Sequence, residues 1–420
     1  MNSAREVVIT GIGVVSPIGI GIDALMAALR EQRSGVGPIS PFAEEGMPFH
    51  IGARVHDFDG KNFVQPRKSL KVMSREIQTA YAAAGLALAH AGIAKGSVDP
   101  DRFGVVLGSE MLYGEVGELA DAFRHCSTGQ EFHFEQWGKT AMQDIFPLWM
   151  LKYLPNMAAC HVGIAHDARG PNNTVMQGET SSLVALMEGC SYIQRDLADV
   201  VIVGGTGSRL SEPALPFRGT LDISAFGGDP THASRPFDLH RSGMVNGEGA
   251  GILVLESRDH AQQRGGKAWA RVAGFASRYE GQHRQAMTGL SIKNAIRGAL
   301  ESAGLTASDV GHVNAHGMST PHDDRIEAAA IHDTLGEVPV TALKSYFGYL
   351  GAGAGAVELA ASVWALAHDE VPATLNYDTP DPACPVNVIH SGPLRGAKPL
   401  AMKLNHTPLG QAAAVLITGS

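Results

Sequence analysis

Residues 172–203, NNTVMQGETSSLVALMEGCSYIQRDLADVVIV, decide the fold class. Asn173 to Met176 and Val200 to Val203 read as short buried strands. Between them Leu183, Leu186, Met187, Cys190, Ile193 and Leu197 recur at helical spacing, giving a strand, turn, helix, strand unit. Outward from this unit the theme repeats. Val7 to Thr10 and Phe103 to Leu107 read as strands in the first half, as do Ile252 to Leu255, the segment around Val313, Ala401 to Leu404 and Ala414 to Ile417 further on. Ile292, Ile296, Leu300 and Ala303 mark a helix that Gly304 terminates, and a later helix runs from about Ala356 to His368. The alternation predicts a parallel α/β architecture. Two similar halves, 1–256 and 257–420, predict an internal duplication. From Glu110 to Pro155 the pattern is irregular and aromatic, with Tyr113, Phe132, Phe134, Trp137, Phe146, Trp149 and Tyr153. It reads as an insertion that covers a pocket or a subunit interface, or else as a surface-packed subdomain.

The 420 residues suffice for two domains or one large layered one. With 44% hydrophobic and 18% charged residues the chain is neither disordered nor a coiled coil. Glycine is in surplus, 50 residues, against a usual ~7%, which predicts close backbone approaches. A net charge of -9 without a Lys/Arg block argues against nucleic acid as a partner. The four cysteines, Cys126, Cys160, Cys190 and Cys384, lack paired spacing, so no zinc site or disulfide framework is expected. No apolar run is long enough for a membrane span and no signal peptide is recognisable, which fits the cytoplasm.

VVITGIGVVSPIG at 7–19 has a glycine-rich turn after a strand, but Ser16 and Pro17 break the dinucleotide fingerprint. Together with HVGIAHDARGPNNTVMQGETSS (161–182), SRPFDLHRSGMVNGEGAGILVLE (234–256), VNAHGMSTPHDDRIE (313–327) and KSYFGYLGAGAGAVE (344–358), this opening resembles the β-ketoacyl-acyl-carrier-protein synthases, in order and spacing, over almost the whole chain. The resemblance implies a thiolase-like fold, two duplicated α/β halves in five layers, α-β-α-β-α, usually dimeric. It also implies a carrier protein whose phosphopantetheine is the substrate arm, with no bound cofactor and no metal.

In that family a cysteine thiolate takes the acyl group, and two histidines with backbone amides stabilise the enolate and oxyanion. The resemblance puts the cysteine's position at Glu179. The first histidine matches His316, with Glu327 at the family's acidic position; Met318 stands where a pantetheine-holding threonine is usual, and Thr320 is kept. Lys344 is kept, but the second histidine is Tyr349. The C-terminal gate reads LNHTPLG, keeping Asn405 and Gly410 and replacing the pattern with Thr407, Pro408 and Leu409, which implies a loop fixed shut. His312 and His316 do not converge as metal ligands in a strand.

An acyl anhydride on glutamate hydrolyses readily, and tyrosine lacks imidazole's titration near neutrality. The three changes point to a non-condensing subunit of the chain-length-factor type, although glutamine is more usual there than glutamate. Such a subunit pairs with an active ketosynthase in a heterodimer and shapes the acyl tunnel. The rival is an enzyme, heterodimeric or homodimeric, that decarboxylates malonyl-carrier or transfers an acyl group with Glu179, His316 and Tyr349. Condensation through Cys160 or Cys190 and a stand-alone carrier- or acyl-binding module complete the readings.

Overall fold

The computed structural model describes residues 5–39, 50–110, 114–211, 222–282 and 286–420. Ten strands carry the architecture: β1 (Val7–Ser16), β2 (Phe103–Gly108), β3 (Asn172–Val175), β4 (Val200–Ser208), β5 (Glu248–Ser257), β6 (Ala270–Tyr279), β7 (His312–Asn314), β8 (Pro339–Thr341), β9 (Leu400–His406) and β10 (Gln411–Gly419). In space the first half runs β1-β5-β4-β2-β3 and the second β6-β10-β9-β7-β8. Each half therefore has the order first, fifth, fourth, second, third, which is the duplication in strand topology. The halves meet at β1 and β6 through only two residue pairs, Val8 with Arg271 and Ile9 with Ala270.

The expected parallel pairing holds for three strands of each half. β2, β3 and β4 are mutually parallel, as are β7, β8 and β9, but β5 runs antiparallel to β4 and β1, and β10 antiparallel to β9 and β6. A parallel neighbour needs a crossover helix. No helix lies between β9 and β10, where a four-residue turn returns the chain directly.

Six helices complete five layers: α1 (Arg75–Ala91), α2 (Met157–His166), α3 (Ser181–Gln194), α4 (Leu290–Ala303), α5 (Pro321–Leu335) and α6 (Ala354–His368). One core joins α1 and α2 to the outer face of the first half-sheet, and another joins α4 and α5 to the outer face of the second. Between the half-sheets lies a third, built on α3 and α6. Strand alternation supplies two of these cores at once. In β10, Ala413, Val415 and Ile417 face the middle layer while Ala412, Ala414 and Leu416 face the outer helices.

The glycine surplus is partly explained by how closely these layers approach. A Cβ on Gly13 in β1 would lie 1.9 Å from the Ala83 carbonyl oxygen of α1, and one on Gly251 in β5 would lie 2.4 Å from the Val357 amide nitrogen of α6. The middle layer matters most for the site, because α3 and α6 begin beside each other: the turn Gly178–Thr180 packs on Gly351–Gly353.

The predicted elements are found, most with longer ends, while the strand expected at Asn173 to Met176 lies one residue earlier, at Asn172–Val175. The helix ending at Gly304 closes with that residue in the left-handed conformation, φ +64°. Within the 110–155 segment, Val116–His125 and Phe134–Asp144 are helices and Trp149–Tyr153 a 3₁₀ turn, while Tyr113 lies outside the described residues. Phe123, Phe132 and Trp137 cluster there, with ring centroids of Phe123 and Trp137 4.8 Å apart.

Candidate functional site

Glu179 sits in the single turn Gly178–Thr180 that feeds α3. Gly178 takes φ +53°, a left-handed value that favours glycine, so the chain bends sharply before the helix. The bend is tied internally: the Gln177 amide donates to Ser181 Oγ at 2.8 Å, and Ser181 Oγ donates to the Gly178 carbonyl at 2.7 Å. The elbow expected at this position is present, and it presents a carboxylate.

Tyr349, fully buried, donates its hydroxyl to Glu179 Oε1 at 2.5 Å. Arg209, one residue beyond β4, donates Nη2 to the same hydroxyl at 2.5 Å, and its guanidinium carbon lies 4.5 Å from the centre of the tyrosine ring. Arg209 also pairs with Glu110 Oε2 at 2.6 Å. Burial raises the Tyr349 phenol well above its ordinary value, against the pull of Arg209 and with the push of Glu179 and Glu110. Burial raises Glu110 to about 7, with Arg209 opposing and Glu179 reinforcing. Four side chains thus form one chain of contacts, Glu110, Arg209, Tyr349 and Glu179.

His316 follows β7 and is 1% exposed. Its amide and that of Gly317 donate to the Glu327 carboxylate at 2.6 and 2.8 Å. Lys344 Nζ lies 2.6 Å from the His316 carbonyl and 3.1 Å from Nδ1, while Asn405 Nδ2 lies 2.9 Å from Nδ1. Glu358 accepts from Lys344 at 2.6 Å and forms an ion pair with Lys403 at 2.7 Å, so one buried carboxylate faces two buried ammonium groups. Burial, then the charges of Lys344, His406 and Lys403, hold the His316 imidazole well below its ordinary value, hence neutral.

His406 stands beside it, ring centroids 4.6 Å apart and planes at 63°. Its Nε2 is 3.8 Å from Glu327 Oε2. Burial alone would lower this imidazole, but Glu327, Asp323 and Glu179 outweigh burial and raise it. Burial would likewise raise Glu327, yet His406 and the two amides keep it below the usual carboxylate range.

A cavity of about 190 Å³ lies where these groups meet. Of the residues expected at the site, Glu179, His316, Tyr349, Met318 and Thr320 line it. Lys344, Glu327 and Asn405 stand behind His316 and touch it. Thr320 also caps α5, accepting from the Asp323 amide at 3.2 Å. Thr407 and Leu409 belong to the four-residue turn between β9 and β10 and do not line the cavity. Leu409 is 65% exposed, because the hairpin register turns it outward, whereas Pro408 reaches the cavity wall. Thr407 Oγ1 accepts from the Leu409 and Gln411 amides, both at 3.2 Å, which ties the turn to itself. Cys190 is buried in the middle core and burial pushes its thiol up, so it is no substitute nucleophile.

Arg209 and His406 were not anticipated. His406 immediately follows Asn405 in a segment singled out above; only its place in the strand puts it against His316. Arg209 lies outside every motif, and position after β4 is the sole sequence signal for it.

Residues 4–261 match the N-terminal domain of β-ketoacyl synthases and residues 269–378 the C-terminal domain. This chain belongs to the β-ketoacyl synthase family. It is 35% identical to the tetracenomycin polyketide synthase ketoacyl synthase alpha subunit of Streptomyces glaucescens, over 92% of this chain and 91% of that one. It is 32% identical to a 3-oxoacyl-acyl-carrier-protein synthase 2 of Synechocystis, again over 92% and 91%. Among solved structures, a β-ketoacyl synthase from Burkholderia phymatum superposes with a TM-score of 0.89 at 30% identity, over 99% of this chain and all of that one. The ishigamide ketosynthase/chain length factor superposes with a TM-score of 0.86 at 27% identity, over the whole of both chains. A type II polyketide ketosynthase solved with its acyl-carrier protein and bound to the hexaketide gives 0.83 at 27% identity, also over both whole chains. The thiolase-like fold is thereby established.

Proposed function

We propose that this chain is a ketosynthase-like subunit of fatty-acid or polyketide synthesis that does not itself condense, and that it pairs in the cytoplasm with an active ketosynthase to shape the acyl tunnel. The observation that carries the reading is the Glu179–Tyr349 hydrogen bond at the family's cysteine and second-histidine positions. A carboxylate bound to a phenol cannot store an acyl group as a thioester. The elbow, the lysine and the first histidine remain, so the scaffold is kept while the acyl-storing thiol is gone.

Two surfaces support the partners. Strand β3 pairs only with β2 among the described residues, leaving one sheet edge open. Exposed apolar side chains, Phe134 at 75% and Met142 at 84%, stand on the 110–155 insertion, as expected of a face covered by a partner. The second surface is basic. No Asp or Glu occurs from 60 to 75, where Lys61, Arg67, Lys68 and Lys71 are all exposed. The turns Gly60–Asn62 and Arg67–Val72 pack together, and the latter packs on Trp149–Tyr153. On a chain of net charge -9 this is a docking patch for an acidic carrier protein; its phosphopantetheine arm is the group the cavity would receive.

Co-expression with active ketosynthases from the same source tests the reading. A 1:1 complex and no acyl adduct on this chain by intact mass are expected. A stable homodimer that ignores every synthase overturns it.

A further inference from the structure

We infer that the cavity hydrolyses acyl thioesters, with Glu179 activating water, His316 donating to the thioester carbonyl and His406 protonating the departing thiol. The inference rests on the reading above only for the carrier that delivers the substrate.

The proton inventory of the cavity fixes the roles. His316 Nδ1 faces Lys344 Nζ at 3.1 Å and Asn405 Nδ2 at 2.9 Å. An ammonium and an amide nitrogen only donate, so Nδ1 is the acceptor and the imidazole proton resides on Nε2. A neutral His316 in the cavity wall therefore offers one N–H to a carbonyl oxygen. His406 is 3% exposed, lines the same cavity, and neither ring nitrogen has a hydrogen-bond partner among the described residues. Both nitrogens are also closed to solvent, so the ring turns toward the cavity to meet a ligand, a movement favoured by the cost of leaving a buried imidazole without partners. With Glu327 3.8 Å from Nε2, it can carry a proton that the substrate takes. Glu179 spends Oε1 on the Tyr349 hydroxyl, and Oε2 has no hydrogen-bond partner among the described residues, so it is left to accept from water.

The replaced thiol decides the outcome of the chemistry. Sulfur would hold the acyl group for a second substrate; a carboxylate acting on water ends the chain as a free acid. In the step, the water oxygen bonds to the thioester carbon and its proton passes to Glu179. The carbon–sulfur bond breaks, and the leaving thiolate takes the proton of His406. Thioester and water give carboxylic acid and thiol, and solvent then moves the proton from Glu179 to His406. A cavity of about 190 Å³ holds a short acyl thioester head with its water, since a water occupies about 30 Å³. The negative Glu179 disfavours a malonyl carboxylate, so the substrates are uncharged acyl groups.

The test uses acetyl- and octanoyl-pantetheine and the same acyl groups on carrier protein, with released thiol followed by a thiol-reactive dye. Thiol release at least tenfold above the buffer blank is expected, falling about a hundredfold in Glu179→Gln and at least tenfold in His406→Asn, each compared at unchanged Tm. A wild-type rate equal to the blank, or variants as fast as wild type, overturns the inference. Carrier association without hydrolysis of either substrate overturns it and leaves the carrier reading standing. Hydrolysis of acyl-pantetheine without carrier association upholds it and removes the carrier.

Discussion

The Tyr349 hydroxyl lies 2.5 Å from Glu179 Oε1, so a side chain from the second half of the molecule pins the acid at the head of α3 in the first. The elbow beneath Glu179 is intact, and a thiol placed there would again stand at a helix start. Glu179→Cys is therefore expected to gain an acyl adduct, read by intact mass after incubation with acyl-carrier. It is not expected to condense, because position 349 still lacks an imidazole. A ketoacyl product from the single variant would contradict the assignment of Tyr349.

Glu358 is the sole acidic partner of both Lys344 and Lys403 among the ion pairs of the described residues. Glu358→Gln leaves two buried ammonium groups without a counter-charge, and a loss of about 3–5 kcal/mol in urea unfolding is expected. Such a loss in the folded protein would also displace His316, which Lys344 touches.

Glu76, at the start of α1, is pushed up to about 7, chiefly by burial, with the backbone and Ser74 opposing and Glu110 and Glu248 adding. Between its ordinary value of 4.5 and 7 the folded chain holds a proton that the unfolded chain has released. This group's contribution is therefore greatest below the lower value and declines as pH rises through the upper one. Glu76→Gln is expected to raise stability at pH 8 by about 2 kcal/mol and to flatten the fall between pH 5 and 7. Urea midpoints of both proteins across that range check this.

Thr407→Ala removes the acceptor for the Leu409 and Gln411 amides. A cost of about 1 kcal/mol is expected, with faster proteolytic cleavage between β9 and β10. An unchanged cleavage rate would show that the backbone bonds of the turn, Thr407 amide to Gln411 carbonyl at 2.8 Å and Gly410 amide to Thr407 carbonyl at 3.1 Å, suffice to hold it.

Reversing Arg67 and Lys68 to glutamate is expected to weaken carrier binding about tenfold at low salt, mostly through the association rate. The difference should shrink as salt is added. Titration calorimetry at two ionic strengths reads both effects.

The fold was largely legible because its signals are local. The helix ending at Gly304 and the strand at Val200 follow from periodicity and a left-handed stop. Strand direction was not legible: β5 and β10 are apolar on both faces whichever way they run, and for β10 it is the four-residue turn from β9 that sets an antiparallel return. At the site, Glu179, His316 and Tyr349 could be placed because they occupy fixed offsets within quoted segments. Arg209 and His406 could not, since a hydrogen bond between residues 140 positions apart leaves no periodic trace. Leu409 was placed by its offset inside a recognisable segment, whereas its exposure is set by the turn geometry and leaves no trace in the sequence.

The packing of Gly178–Thr180 on Gly351–Gly353 brings the amino ends of α3 and α6 together at the joint between the halves. Each helix carries about half an elementary positive charge at that end. Duplication has thus built a site where two helix dipoles converge, and Glu179 sits in one of the converging turns. Glu110 approaches the other, where its Oε1 would lie 2.2 Å from a Cβ on Gly351. A thiolate is one anion such a focus can hold, and a carboxylate is another. The electrostatic design of the joint is accordingly more general than any one reaction performed there.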